Sequence, residues 1–148
     1  MSISAARPGA EGGAEPRAMT RSKVGDHDVL VLAILGGSAT PLSAYQISDI
    51  ATARGSRVAV AQIYRVLERL TKKKLVRRVE LLSAYMLEVE GTNAVFVCAK
   101  CRRAMGLALA GLSEALLTAA TDRHLDVEKQ VVELQGKCPD CSSTNMLP

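Results

Sequence analysis

At 148 residues the chain has room for one ordinary domain or two small ones, and its 48% apolar content excludes wholesale disorder. With four aromatic residues (Tyr45, Tyr64, Tyr85 and Phe96) the core must be built from Leu, Ile, Val and Ala. The net charge is +4, no apolar run reaches the ~20 residues that span a bilayer, and no secretory signal opens the chain, so membrane roles are excluded and the cytoplasm is expected.

Residues 1–25 are rich in Ala, Gly, Pro and Arg without periodicity and read as a disordered arm, with Met19 a candidate start. Asp26 or Asp28 is positioned to cap a first helix through Val29, Leu32 and Leu35, which Gly36 and Gly37 stop. Ser43 and Gln46 have the spacing of a capping box for a second helix, with Leu42 and Ile47 at the flanking staple positions and Gly55 just past its end. A third helix is expected over residues 59–72. Val60, Ile63, Leu67 and Leu70 recur there as one apolar stripe, and at 100° per residue Arg65 points away from it. Gln62, Arg69 and Lys72 share that outward side, Tyr64 stands at its flank, and Lys73 follows. Two strand-like runs, 76–81 and 85–89, then form a hairpin. Helix, helix, basic helix, hairpin is the order of a winged helix-turn-helix.

The second half changes character. Residues 19–80 hold eleven Lys and Arg against five Asp and Glu, whereas residues 81–148 hold six against eight. The basic half suits a polyanion; a solvated basic surface is the plainer reading of charge alone. Short strands are expected at 94–98 and after Cys101, a helix over 112–124, and a strand over 126–136. Strands around one helix make a small α/β unit, and their unpaired edges suit dimerisation.

Cys98-Ala99-Lys100-Cys101 and Cys138-Pro139-Asp140-Cys141 use every cysteine in the chain. Two residues between thiols let a tight turn aim both at one tetrahedral ion, and four thiolates leave zinc no open position, so one structural Zn2+ per chain is expected. A redox dithiol and an iron site are the alternatives, although neither knuckle sits in a thioredoxin-like context. Nothing here points to an enzyme. There is no phosphate loop, no nucleophile with a histidine partner, and no sign of a small-molecule substrate.

The stretches SAYQISDIATARG, QIYRVLERLTKKKLVRRVE, AYMLEV, VFVCAKC and VVELQGKCPDC resemble the ferric uptake regulator family over about residues 28–142, most of all its zinc uptake branch. The resemblance implies a dimeric repressor on a pseudo-palindromic double-stranded DNA operator, with Tyr45, Tyr64 and Arg65 at DNA-reading positions. It also implies a second, sensory metal site, and here the chain departs. Arg77, Glu88, Gly91 and Gly106 stand where its ligands are expected, and Gln130 where iron-type members carry histidine. Arg77 has no lone pair to offer, but its charge is placed to pair with Glu88 and hold the two halves together. Glu88 and His124 (near Asp122, Asp126 and Glu128) remain the candidates for a regulatory site, against a plain solvated histidine. Arg102 replaces the usual Gly after the second Cys, and Gln62 the usual Thr before the Tyr-Arg pair.

The expected fold is therefore α+β: a disordered arm (1–25), a winged-helix DNA-binding domain (26–90), a small α/β dimerisation domain with the four-cysteine zinc (91–142), and a tail (143–148). The alternative is a zinc-stabilised adaptor that pairs with a sister regulator and binds little DNA itself. The outward basic helix separates the two, because an adaptor has no need of it.

Overall fold

Three helices open the described part of the chain, which in this computed structural model covers residues 24–145. The expected arm and the last three residues of the tail lie almost wholly outside it. Helix α1 (Val24–Gly36) ends where Gly36-Gly37 was expected to end it, with the Gly37 N–H donating to the Ala33 carbonyl. Its start differs from expectation. The helix already runs at Asp26 and Asp28, so neither caps it; Asp28 is buried and turned toward the third helix. Helix α2 (Ala44–Ala53) has the capping box, with Gln46 N–H donating to Ser43 Oγ and Ser43 N–H to Gln46 Oε1. Helix α3 (Val60–Lys72) buries Ile63, Val66, Leu67 and Leu70, while Val60 is only half-buried, so the seam is Val66-centred and wider than the predicted stripe.

These helices pack on one another around Val31, Ile34, Ile47, Ile63, Leu67 and Leu70. Strands β1 (Val76–Val79) and β2 (Ala84–Leu87) pair antiparallel, Val76 opposite Leu87 and Val79 opposite Ala84. β1 stops short of its predicted end because a 3-10 turn, η1 (Glu80–Leu82), and left-handed Ser83 follow it, while β2 starts one residue earlier than predicted and ends at Leu87 instead of Val89. The arrangement is a winged helix-turn-helix.

The second unit is a three-stranded sheet in the order β4-β3-β5, with β3 (Ala94–Cys98) central, β4 (Ala104–Leu107) antiparallel to it and β5 (Glu133–Gly136) parallel. Helix α4 (Leu112–Thr121) makes the crossover, and a short α5 (Pro139–Asn145) follows the second knuckle. Helix α4 ends at Thr121 and turns out through His124, whose φ is +59°. The strand expected from residue 126 begins only at 133. A strand needs a partner; β3 offers its edge only to residues 133–136, so 126–131 run exposed as a loop.

One strand serves both cores. Side chains alternate across a strand, so residues three apart face opposite ways. Val76 accordingly lies in the helical core, while Val79 lies with Val95 and Val97 in the second. The wing is thus packed between the two halves.

Candidate nucleic-acid interface and metal centre

The two knuckles meet because β3 and β5 are parallel neighbours that end side by side, Cys98 opposite Gly136. Cys98 closes β3 and Cys138 follows β5 by two residues. The four thiol sulfurs lie within 4.8 Å of one another, and this is the sole cluster of three or more such ligand types among the described residues. Zinc–sulfur bonds of ~2.3 Å in a tetrahedron put sulfurs ~3.8 Å apart. Cys101 Sγ and Cys138 Sγ are separated by 3.8 Å. The donor set and its spacing therefore fit one structural zinc held by Cys98, Cys101, Cys138 and Cys141. Bound there, zinc would supply a cross-link, not chemistry.

The protein prepares these sulfurs for a cation. Backbone N–H groups of Cys101 and Cys138 each donate to Cys98 Sγ at 3.4 Å, and they draw the Cys98 thiol down to about 5. Burial, reinforced by the neighbouring thiols, pushes Cys141 up to about 12. Cys98 is drawn toward the thiolate, the form in which sulfur binds a metal. A zinc on four thiolates carries net negative charge; Lys100, Arg102, Arg103 and Lys137 surround the knuckles, and Arg103 Nη1 reaches Asp140 at 3.3 Å.

Arg102, singled out as a departure, adopts the left-handed conformation that the turn demands, with φ +66° and its N–H donating to the Cys98 carbonyl. A Cβ in that region costs about 1–2 kcal/mol. Arg102→Gly should therefore raise stability by roughly 1 kcal/mol. A denaturant midpoint for zinc-loaded protein that stays put or falls would count against this.

On the first unit, Tyr64 and Arg65 stand exposed on α3, Lys72 extends that face, and Tyr45 stands exposed in the first turn of α2. Gln62 is half-buried, accepting from Arg65 Nη1 at 3.4 Å and lying 3.5 Å from His27 Nδ1. Arg69 is not on the open face as the helical wheel implied. Its guanidinium pairs with Asp28 of α1 at 2.5 Å, and Lys73 Nζ comes within 3.7 Å of the same carboxylate. The buried acid captures one basic group outright and shares another, so Arg65 and Lys72 are the outward cations of the set. The signal was an aspartate inside an otherwise apolar helical run, which reads equally well as a cap.

The regulatory candidates are not assembled. Glu88 is held by Arg77 in a two-pronged pair, Nε to Oε1 at 3.1 Å and Nη2 to Oε2 at 2.5 Å. Arg77 Nη2 also donates to the Thr92 carbonyl at 3.2 Å, so one guanidinium joins β1 to the segment leading into the second unit. His124 is exposed past the end of α4, and neither residue belongs to a cluster of three potential ligands among the described residues. A side chain at Gly106 would need Thr92 to shift, because an added Cβ would sit 2.8 Å from Thr92 Cγ2.

No protein-family profile matches the chain. Over 105 residues it is 25% identical to the zinc uptake regulation protein of Escherichia coli strain K12, and equally to that of Shigella flexneri. The match covers 68% of this chain and spans 61% of those curated relatives' length. The fold is similar to a solved zinc uptake regulator complexed with zinc and DNA, with a TM-score of 0.76 at 22% identity, covering 91% of this chain and 94% of the other. It is also similar to the Helicobacter pylori ferric uptake regulator, with a TM-score of 0.56 at 17% identity over 87% and 91%. Capping-box helix, outward basic helix, wing and four-thiol centre occur in one order, and the fold that carries them is similar to that of the solved zinc and ferric uptake regulators.

Proposed function

We propose that this chain is a cytoplasmic transcriptional repressor that binds a pseudo-palindromic DNA operator as a homodimer and does so without a regulatory zinc. The observation that carries the reading is the outer surface of α3, where Arg65 and Tyr64 lie exposed, with Tyr45 exposed on α2. A guanidinium on a helix docked by its opposite face matches the paired acceptors of guanine in the major groove. The matched relatives are zinc uptake regulation proteins, and one similar solved structure is a zinc uptake regulator complexed with zinc and DNA.

Dimerisation is supported by what the second unit leaves uncovered. No residue of α4 is buried, and Leu109, Leu116, Leu117, Leu125 and Leu134 are exposed on it and around it. A single reading helix covers too few base pairs for useful specificity, so a two-fold pair of chains on two half-sites is the natural arrangement. Independence from a second zinc is supported by the Arg77–Glu88 pair: a permanent charge fills the place where a metal would join the halves. Among the described residues no helix is long and apolar enough to cross a membrane.

The test is selection of a duplex from a randomised pool, followed by affinity measurements on Arg65→Ala and Lys72→Ala. Arg65→Ala should lose about 1–3 kcal/mol on the selected duplex and become indifferent to one base pair of each half-site. Lys72→Ala should weaken all duplexes alike and reduce the salt slope by about one. A chelator that spares the four-cysteine centre should change the parent's affinity less than tenfold. An Arg65→Ala protein that discriminates as the parent does would defeat the DNA-reading proposal, and zinc-restorable loss on chelation would defeat metal independence.

A further inference from the structure

Glu133 is the first residue of β5, 53 residues from the wing turn that it touches. Its carboxylate accepts two backbone N–H groups of η1: Glu80 N–H to Oε2 at 2.7 Å and Leu81 N–H to Oε1 at 2.8 Å. Parallel pairing sets Glu133 beside Val95, on the sheet face that also carries Val97 and receives Val79 from the wing. The first turn of a 3-10 helix has N–H groups without partners inside the helix, and a carboxylate answers two of them at once. A second tie runs alongside, because Lys129 Nζ reaches Glu80 at 2.9 Å while Arg78 holds the other oxygen of the same carboxylate at 3.0 Å.

The remaining contact between the units is narrow. Val79, Val95 and Val97, with half-buried Leu82, Met86 and Ala104 against them, form a small apolar patch, and beside it an open cleft of about 1040 Å³ separates β1 from the segment 129–133. Arg77 closes the cleft at the linker and Glu133 at the wing turn. Such a patch resists separation more than it resists rotation, since apolar contact has no direction. Two charge-assisted hydrogen bonds at the far end of the wing supply the direction.

We propose that Glu133 is a positioning residue that fixes the angle of the reading helix relative to the dimerising unit and so sets the half-site spacing this protein accepts. The proposal rests on the reading of the chain as a dimeric DNA binder. Inserting one base pair moves a half-site by roughly 3.4 Å and turns it by about 35°. A rigid head cannot follow that turn, whereas a released one can.

Two variants, Glu133→Ala and Glu133→Gln, test it, with zinc content of one per chain as the check that the second unit is intact. Hydrogen exchange at the Glu80 and Leu81 amides should accelerate at least tenfold in Glu133→Ala, and less in Glu133→Gln, which keeps one acceptor oxygen. The DNA probe is the duplex selected by the parent protein, remade with one base pair added or removed between half-sites. The parent should lose tenfold or more on the altered spacings, and Glu133→Ala threefold or less. On a duplex carrying a single half-site the two should agree within twofold, because α3 is untouched. Unchanged exchange at residues 80 and 81, or a spacing penalty in Glu133→Ala equal to the parent's, overturns the proposal. If the parent selects no duplex at all, DNA reading falls and the spacing role with it, and exchange alone judges the latch.

Discussion

Cys138→Ser is expected to release the zinc and unfold most of the second unit while the three-helix core stays folded. The sheet there is thinly supported. Its core cluster is Val79, Val95 and Val97, no residue of α4 is buried, and β5 contributes only four residues to the ladder with β3. Structural zinc on thiolates supplies on the order of 10–16 kcal/mol in isolated zinc peptides, more than the whole stability of many domains, about 5–15 kcal/mol. Cys138 lies two residues beyond Gly136, so a zinc on the four thiols would clamp the end of β5 to the end of β3. Metal analysis should find at most a trace of zinc in purified Cys138→Ser. Limited proteolysis should remove residues beyond about 90 and leave a resistant fragment containing α1 to β2. A variant that retains one zinc per chain, or a second half that resists protease without metal, would contradict the assignment.

The complementary substitution is Ile63→Ala. Ile63 has no exposed surface and lies in the seam on which α3 docks against α1 and α2. Cutting a fully buried isoleucine back to alanine removes apolar contact and leaves a cavity, at a cost of about 2–5 kcal/mol. The denaturant midpoint of the helical unit should fall by that amount with its slope unchanged, while the zinc content stays at one per chain. Cys138→Ser and Ile63→Ala should thus fail in opposite halves. Val79 limits the separation, because it belongs to the first unit's strand and the second unit's core. A small loss of stability should therefore pass from each half to the other.

Much of this molecule was legible from local pattern. The capping box at Ser43 and Gln46, the helix stop at Gly36 and the outward side of Arg65 all depend on residues within four or five positions of one another. Helical geometry alone sets those relations. The four cysteines were legible for a different reason: two residues between thiols is a requirement of the metal, so spacing implies chemistry before any fold is known.

What only the tertiary structure decided lies between residues far apart in the chain. Asp28 and Arg69 are 41 residues apart, and their pairing turns an expected cap and an expected DNA contact into one internal ion pair. The helical wheel grouped Arg69 with the outward side chains but could not show that Asp28 of α1 would draw it away from the open face. Strand alternation put Val76 and Val79 on opposite faces, yet nothing local said that both faces would be covered. Residues 126–131 hold Val127 and Val131 but find no edge to pair with, because β3 pairs only with 133–136. Glu133 left no trace in the sequence, since its partners are backbone N–H groups, and any residue at 80 and 81 except proline would present the same two donors.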